Sequence, residues 1–245
     1  MYRKVMAVAL VLGLGLGASA CGGGSKPPTT AKANATSAAP LSPLDQIKAA
    51  LTRSKQGNSC KLEVSLKMSM SDNVAFTLTG TGVTQFRPPA TDLKMTGTVR
   101  AQGQRVPLKI HDITIGSTTY EKQNNEAWKK SNEPGLAGLA NIAAEGNKDS
   151  AVAFLQYSKD AKSLGRTTIH GQPATGYDIA LDPNSPDAKD LKDVKIKVWL
   201  DDSARIVQMK MAGPMKIDDG TANADMTVAM YDYGTPVHVV APKHV

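Results

Sequence analysis

Apolar residues in this chain recur with two different periods, and the change between them marks the architecture. In "LSPLDQIKAALTRS", Leu44, Ile47 and Leu51 share one helical face with Ala50 beside them. Ser42 is a good N-cap and Pro43 suits the first helical position, so the spacing predicts a helix over about 43–55 that Gly57-Asn58 ends. From residue 61 the period becomes 2. Leu62, Val64, Leu66, Met68 and Met70 alternate with Lys61, Glu63, Ser65, Lys67 and Ser69, the signature of a one-sided antiparallel strand. Asp72-Asn73 reads as a turn, and Val74, Phe76 and Leu78 continue the alternation. Leu93, Met95 and Val99 follow, then Val106, Leu108 and Ile110, with a kink expected before Ile113 and Ile115.

Hairpin signals come next. Gly116-Ser117 and Asn124-Asn125 are turns, with a short strand expected around Trp128. "GLAGLANIAAEGN" and "DSAVAFLQYSKDAKSL" read as helices that split the strand series in two. Alternation then resumes in Tyr177, Ile179, Leu181; Ile196, Val198, Leu200; Val207, Met209, Met211; and Met226, Val228, Met230, with a hairpin loop at Asp201-Asp202-Ser203-Ala204. The sum is roughly eight or more amphipathic strands, whose single apolar face has to be covered. The expected class is α+β: a curved antiparallel half-barrel sheet wrapped around a few helices, with an apolar cleft between the layers.

The N-terminus adds a location. Arg3 and Lys4 precede an apolar run, Val5 to Leu16, and then the small residues Gly17-Ala18-Ser19-Ala20. This is the layout of a secretory signal peptide and is shorter than the about 20 apolar residues of a membrane span. Ala18-Ser19-Ala20-Cys21 resembles the lipobox of bacterial lipoproteins, although Ala18 stands where that family prefers Leu. The resemblance implies a diacylglyceryl group on the Cys21 thiol, cleavage before it, and an acyl chain such as palmitate on the new amine. Two or three chains, at about 0.8 kcal/mol per buried methylene, make a stable anchor. Residues 22–41, rich in Gly, Ser, Thr, Ala and Pro, read as a flexible tether. The expected divisions are thus a signal over 1–20, lipidated Cys21 and tether over 21–41, one domain over 42–241, and a tail over 242–245. The expected place is the extracytoplasmic face of the bacterial cell membrane.

Composition narrows the chemistry. A net charge of +7 is spread without a Lys/Arg block interleaved with aromatics, which argues against nucleic acid as a partner. With Cys21 acylated, Cys60 has no intramolecular partner and reads as a half-buried side chain. No G-x-S-x-G, P-loop or H-E-x-x-H occurs, and His111, His170, His238 and His244 lack ligand spacing, so no enzyme activity, cofactor or metal is expected. Asp182, Asn184, Asp187 and Asp190 lie in one loop, but Pro186 interrupts it and the glycine of a calcium loop is missing.

The motif order "ITIGSTTYEKQNNEAWKKS", "GRTTIHGQPATGYDIAL", "VKIKVWLDDSARIVQMKM" and "YDYGTPVHVVAP" resembles actinobacterial lipoproteins of the LppX/LprG type, related in fold to the LolA lipoprotein carriers. That resemblance covers most of 43–241. It implies a half-barrel around helices, with an apolar cavity that in some members holds acylated lipids, and it carries over no catalytic motif. On the apolar faces of the proposed strands the candidate cavity liners are Leu62, Val64, Leu66, Met68, Leu93, Met95, Val198, Met209, Met226 and Val228. All methionines except Met1 and Met6 lie beyond the signal, and flexible, polarizable Met suits variable apolar ligands. The expected function is a membrane-anchored lipoprotein that binds or carries an acylated lipid or amphiphile. The alternative is a sensory or regulatory lipoprotein that meets an envelope protein partner through its surface.

Overall fold

The computed structural model describes residues 41–71, 74–132, 153–185, 191, 193–217 and 220–243. The one α-helix among them, α1 (Pro43–Gln56), begins as its sequence dictates. Ser42 caps it by accepting the Asp45 N–H at 3.2 Å, Asp45 sits in the first turn, and Arg53 and Lys55 sit in the last. Those charges oppose the helix dipole at both ends.

Eleven strands follow among the described residues: β1 (Ser59–Ser71), β2 (Val74–Phe86), β3 (Pro89–Ala101), β4 (Gln104–Ile115), β5 (Thr118–Gln123), β6 (Lys129–Ser131), β7 (Ser158–Ile169), β8 (Gln172–Leu181), β9 (Lys195–Asp201), β10 (Ile206–Ile217) and β11 (Gly220–Tyr231). They form a single open antiparallel sheet in the order β6-β5-β4-β3-β2-β1-β11-β10-β9-β8-β7. Each half of the sheet is a meander. The halves join where β1 pairs with β11, with Val64 opposite Val228. Two-residue alternation puts one apolar set on the inner face, where Ile47 and Ala50 of α1 pack fully buried.

The curvature of the sheet has a local cause. Gly80 of β2 lies opposite Met95, and Gly97 of β3 lies opposite Leu78. A Cβ at Gly97 would run into the Thr77 carbonyl, and one at Gly80 into the Lys94 carbonyl and Met95. The two strands come together at bare backbone there, as a tightly coiled sheet requires.

The structure corrects four expectations. First, a helix over 149–164 is replaced by a short 3-10 turn, Ala153–Tyr157, and by the first half of β7. Bulges at Ser158/Asp160 and Ser163/Gly165 displace the strand alternation, so that buried Ser158 and Ala161 stand three apart rather than two. The helix expected over 135–147 lies outside the described residues, so among those residues the sheet meets one α-helix rather than a few. Second, β4 runs without a kink. Its alternation changes face instead: Ile110 and Asp112 point inward, while Ile113 is buried on the outer side opposite Tyr120. Third, the strand expected around Trp128 starts just after it, at Lys129. Fourth, Cys60 is fully buried rather than half-buried, because it faces inward at the start of β1 opposite Thr84.

Candidate lipid-binding face

The inner face can be assembled strand by strand from the register. One row runs Tyr177, Val198, Met209, Val228, Val64, Gly80, Met95, Ile110 across β8, β9, β10, β11, β1, β2, β3 and β4. The next row holds Ile179, Ile196, Met211, Met226, Leu66 and Leu78. Leu62 and Leu93 stand on either side of Gly82 in a third row. The sequence-derived liners therefore share one face; all but Met68 belong to the same apolar cluster, and Met68 packs against it. Cys21 lies outside the described residues.

Burial distinguishes these liners from the walls of an open cavity. Leu62, Leu93 and Val198 are 0% exposed, and Val64, Leu66, Met95, Met209, Met226 and Val228 are at most 7% exposed. An open cavity wide enough for an acyl chain would leave its walls accessible. Instead they lie in one buried apolar cluster that also holds Ile47 and Ala50 of α1, Leu155, Leu191 and Val194. Met68, near the far end of β1, is the one liner only partly buried.

Two polar pins hold α1 over the sheet. The Tyr177 hydroxyl donates to Gln46 Oε1 at 2.7 Å, and Ser54 Oγ accepts the Ile206 N–H at 2.9 Å. Burial raises the pKa of the Tyr177 hydroxyl, which keeps it a donor. Tyr233 closes the same end. Its hydroxyl donates to the Ile206 carbonyl, and burial holds it well above the usual tyrosine range.

Sequence reasoning missed a polar part of this face. Thr84, Thr91, Thr114 and Thr119 form one cross-strand row over β2 to β5, each 5% exposed or less. Their hydroxyls pair at 3.0 Å (Thr84–Thr91) and 3.3 Å (Thr114–Thr119). Beside the row stands Asp112, fully buried, with Leu93 on one side and Glu121 on the other. The pattern was present in "HDITI", where Asp112 and Thr114 continue the inward phase of Ile110. The apolar Ile113 and Ile115 drew attention to the wrong face.

No helix among the described residues is long and apolar enough to cross a membrane. No family model matches the chain. No curated protein sequence matches it either. Solved structures do. The chain superposes on LprF from Mycobacterium bovis with a TM-score of 0.52 at 15% identity, covering 81% of this chain and 96% of that one. The lipoprotein LppX of Mycobacterium tuberculosis gives 0.49 at 13% identity over 80% and 97%. A LolA superfamily protein from Nitrosomonas europaea gives 0.30 at 10% identity over 79% and 93%. At such identity the LprF match is a likeness of fold. The chain has that fold, the one that the motif order in the sequence implies.

Proposed function

We propose that this protein is a membrane-anchored cell-envelope lipoprotein that binds and carries an acylated lipid or similar amphiphile between the inner sheet face and its helical cover. The observation that carries the reading is the apolar cluster on the inner face, rich in methionine, within a fold shared with LprF. Cys21 supplies the anchor. The work is binding, with no catalytic step. Because the liners are covered, acyl chains enter only as α1 and its neighbours give way. Each methylene buried contributes about 0.8 kcal/mol, so one long chain supplies on the order of 10 kcal/mol against the packing it displaces. Methionine side chains adjust shape at low cost, which suits a face that must pack with and without a guest.

The filled core also favours a second reading, a regulatory lipoprotein with a dry interior that works through its surface. Native mass spectrometry separates the two. The protein purified from a lipid-containing host is expected to carry a releasable mass that fragments as an acylated lipid. A bare protein mass, with no uptake of added phosphatidylethanolamine, would overturn the carrier reading and leave the surface one. The blocking variant has to spare the packed interior, since overpacking there costs roughly 1–3 kcal/mol. Met68→Trp meets this condition, because Met68 is only partly buried. We expect it to lose the bound lipid with an unchanged thermal midpoint.

A further inference from the structure

A hollow of about 300 Å³ lies at the end of the sheet that Tyr233 closes, and its construction follows from the lengths of neighbouring hairpins. The β9–β10 hairpin stops early: β9 ends at Asp201, which pairs with Ala174, while β8 begins further out at Gln172. Past that shortened hairpin the β7–β8 turn reaches across. His170, in the left-handed region at φ 46°, stacks its ring on Tyr231 with centroids 4.9 Å apart and planes 23° apart. The stack roofs the gap. Ile169 and Val207 give the hollow apolar lining, Val207 lying where the β9–β10 register shifts, and it backs onto Met230 and Tyr233 at the packed end of the inner face.

The polar rim is charge-balanced. Arg205 grips Asp201 Oδ2 through Nε at 2.8 Å and through its terminal nitrogen at 2.7 Å. Asp201 Oδ1 is taken by the backbone N–H groups of Ser203 and Arg205, so this carboxylate braces the turn. Lys61 donates to Asp232 Oδ2 at 2.8 Å, and His170 Nε2 stands 3.7 Å from Glu63. Arg205 and Lys61 therefore each already face a carboxylate, and an incoming anion would have to break a pair to bind. What the rim still presents is neutral in sum: the remaining guanidinium N–H groups, the second oxygen of Asp232, and the exposed amide of Gln172, which both donates and accepts. An apolar lining, a ring pair and mixed donors and acceptors without net charge match an uncharged polyhydroxylated ring. Its C–H face would lie on the apolar lining and its hydroxyls on the rim. The volume, at the low end for small-molecule sites, admits one or two such rings.

The geometry points to a saccharide-binding subsite between the β7–β8 turn, the β9–β10 hairpin and the end of β11. Saturation-transfer NMR on the full-length protein, in a detergent without a sugar headgroup, tests it. The probes are methyl glucoside, methyl galactoside and N-acetylglucosamine, with inorganic phosphate as competitor. At least one sugar is expected to show saturated ring protons with a Kd on the order of 1 mM. Gln172→Trp fills the hollow from an exposed position and is expected to weaken binding at least about tenfold with an unchanged thermal midpoint. His170→Ala removes the roof and provides the same comparison should the first variant fail to fold. Absence of transfer from all three sugars, equal signals in both variants, or displacement of sugar by phosphate would each overturn the assignment.

Discussion

Cys60 shows how a single position ties burial to pH. The side chain is enclosed at the start of β1, and burial pushes its thiol from the ordinary 9.0 up to about 12. A thiol held protonated in the fold but free to ionise when unfolded stabilises the fold fully below pH 9.0, and that contribution is lost as pH rises towards about 12. The buried Tyr233 hydroxyl acts in the same direction. Thermal midpoints are therefore expected to fall steeply across the alkaline range, and less steeply in Cys60→Ala, which keeps only the tyrosine part. Alkylation mapped by peptide mass at pH 8 should leave native Cys60 unmodified and label it after denaturation; rapid native labelling would contradict the enclosed site.

At the scale of elements, α1 matters because it is a cover held by few bonds. Its apolar stripe was readable from Leu44, Ile47, Ala50 and Leu51, and so was its cap. Its docking was not readable, since Ser54 meets Ile206 and Gln46 meets Tyr177 across long stretches of chain. Ser54→Ala leaves the buried Ile206 N–H without its acceptor and is expected to cost about 1–3 kcal/mol. Urea titration gives that value; if α1 is the gate, lipid uptake in the same variant should be faster. β7 makes the opposite point. Its bulges hid its alternation, and pairing with β8 decided its conformation against the helix that its sequence suggests.

For the molecule as a whole, hydrogen bonding is distributed unevenly. β1 and β11 are paired on both sides at the centre of the sheet, whereas β6 and β7 form its edges. The edges are blunted: β6 spans only Lys129–Ser131, and β7 carries bulges together with Lys159, Lys162 and Arg166. Amide hydrogen exchange is expected to be slowest in β1, β10 and β11 and faster in β6, β7 and α1. Added lipid should change protection in α1 more than in β1. Uniform protection throughout would mean that the cover does not open separately from the sheet.

The sequence by itself determined the strand series, the N-terminal helix, the shared inward face of the liners and the motif order that implies this fold. The first three rest on local propensity and on a period of 2 or 3.6, which can be read along a chain; the motif order speaks through its resemblance to a known family. Tertiary structure decided the rest. It joined β1 to β11, turned an apparent helix into an edge strand, enclosed Cys60, placed Asp112 and a threonine row on the inner face, and buried the residues expected to line an open cleft. It also brought His170, Arg205 and Tyr231 around one hollow. The physical reason is the same in each case: burial and cross-strand pairing depend on residues far apart in the chain, and no local period records which distant surface will cover a given face.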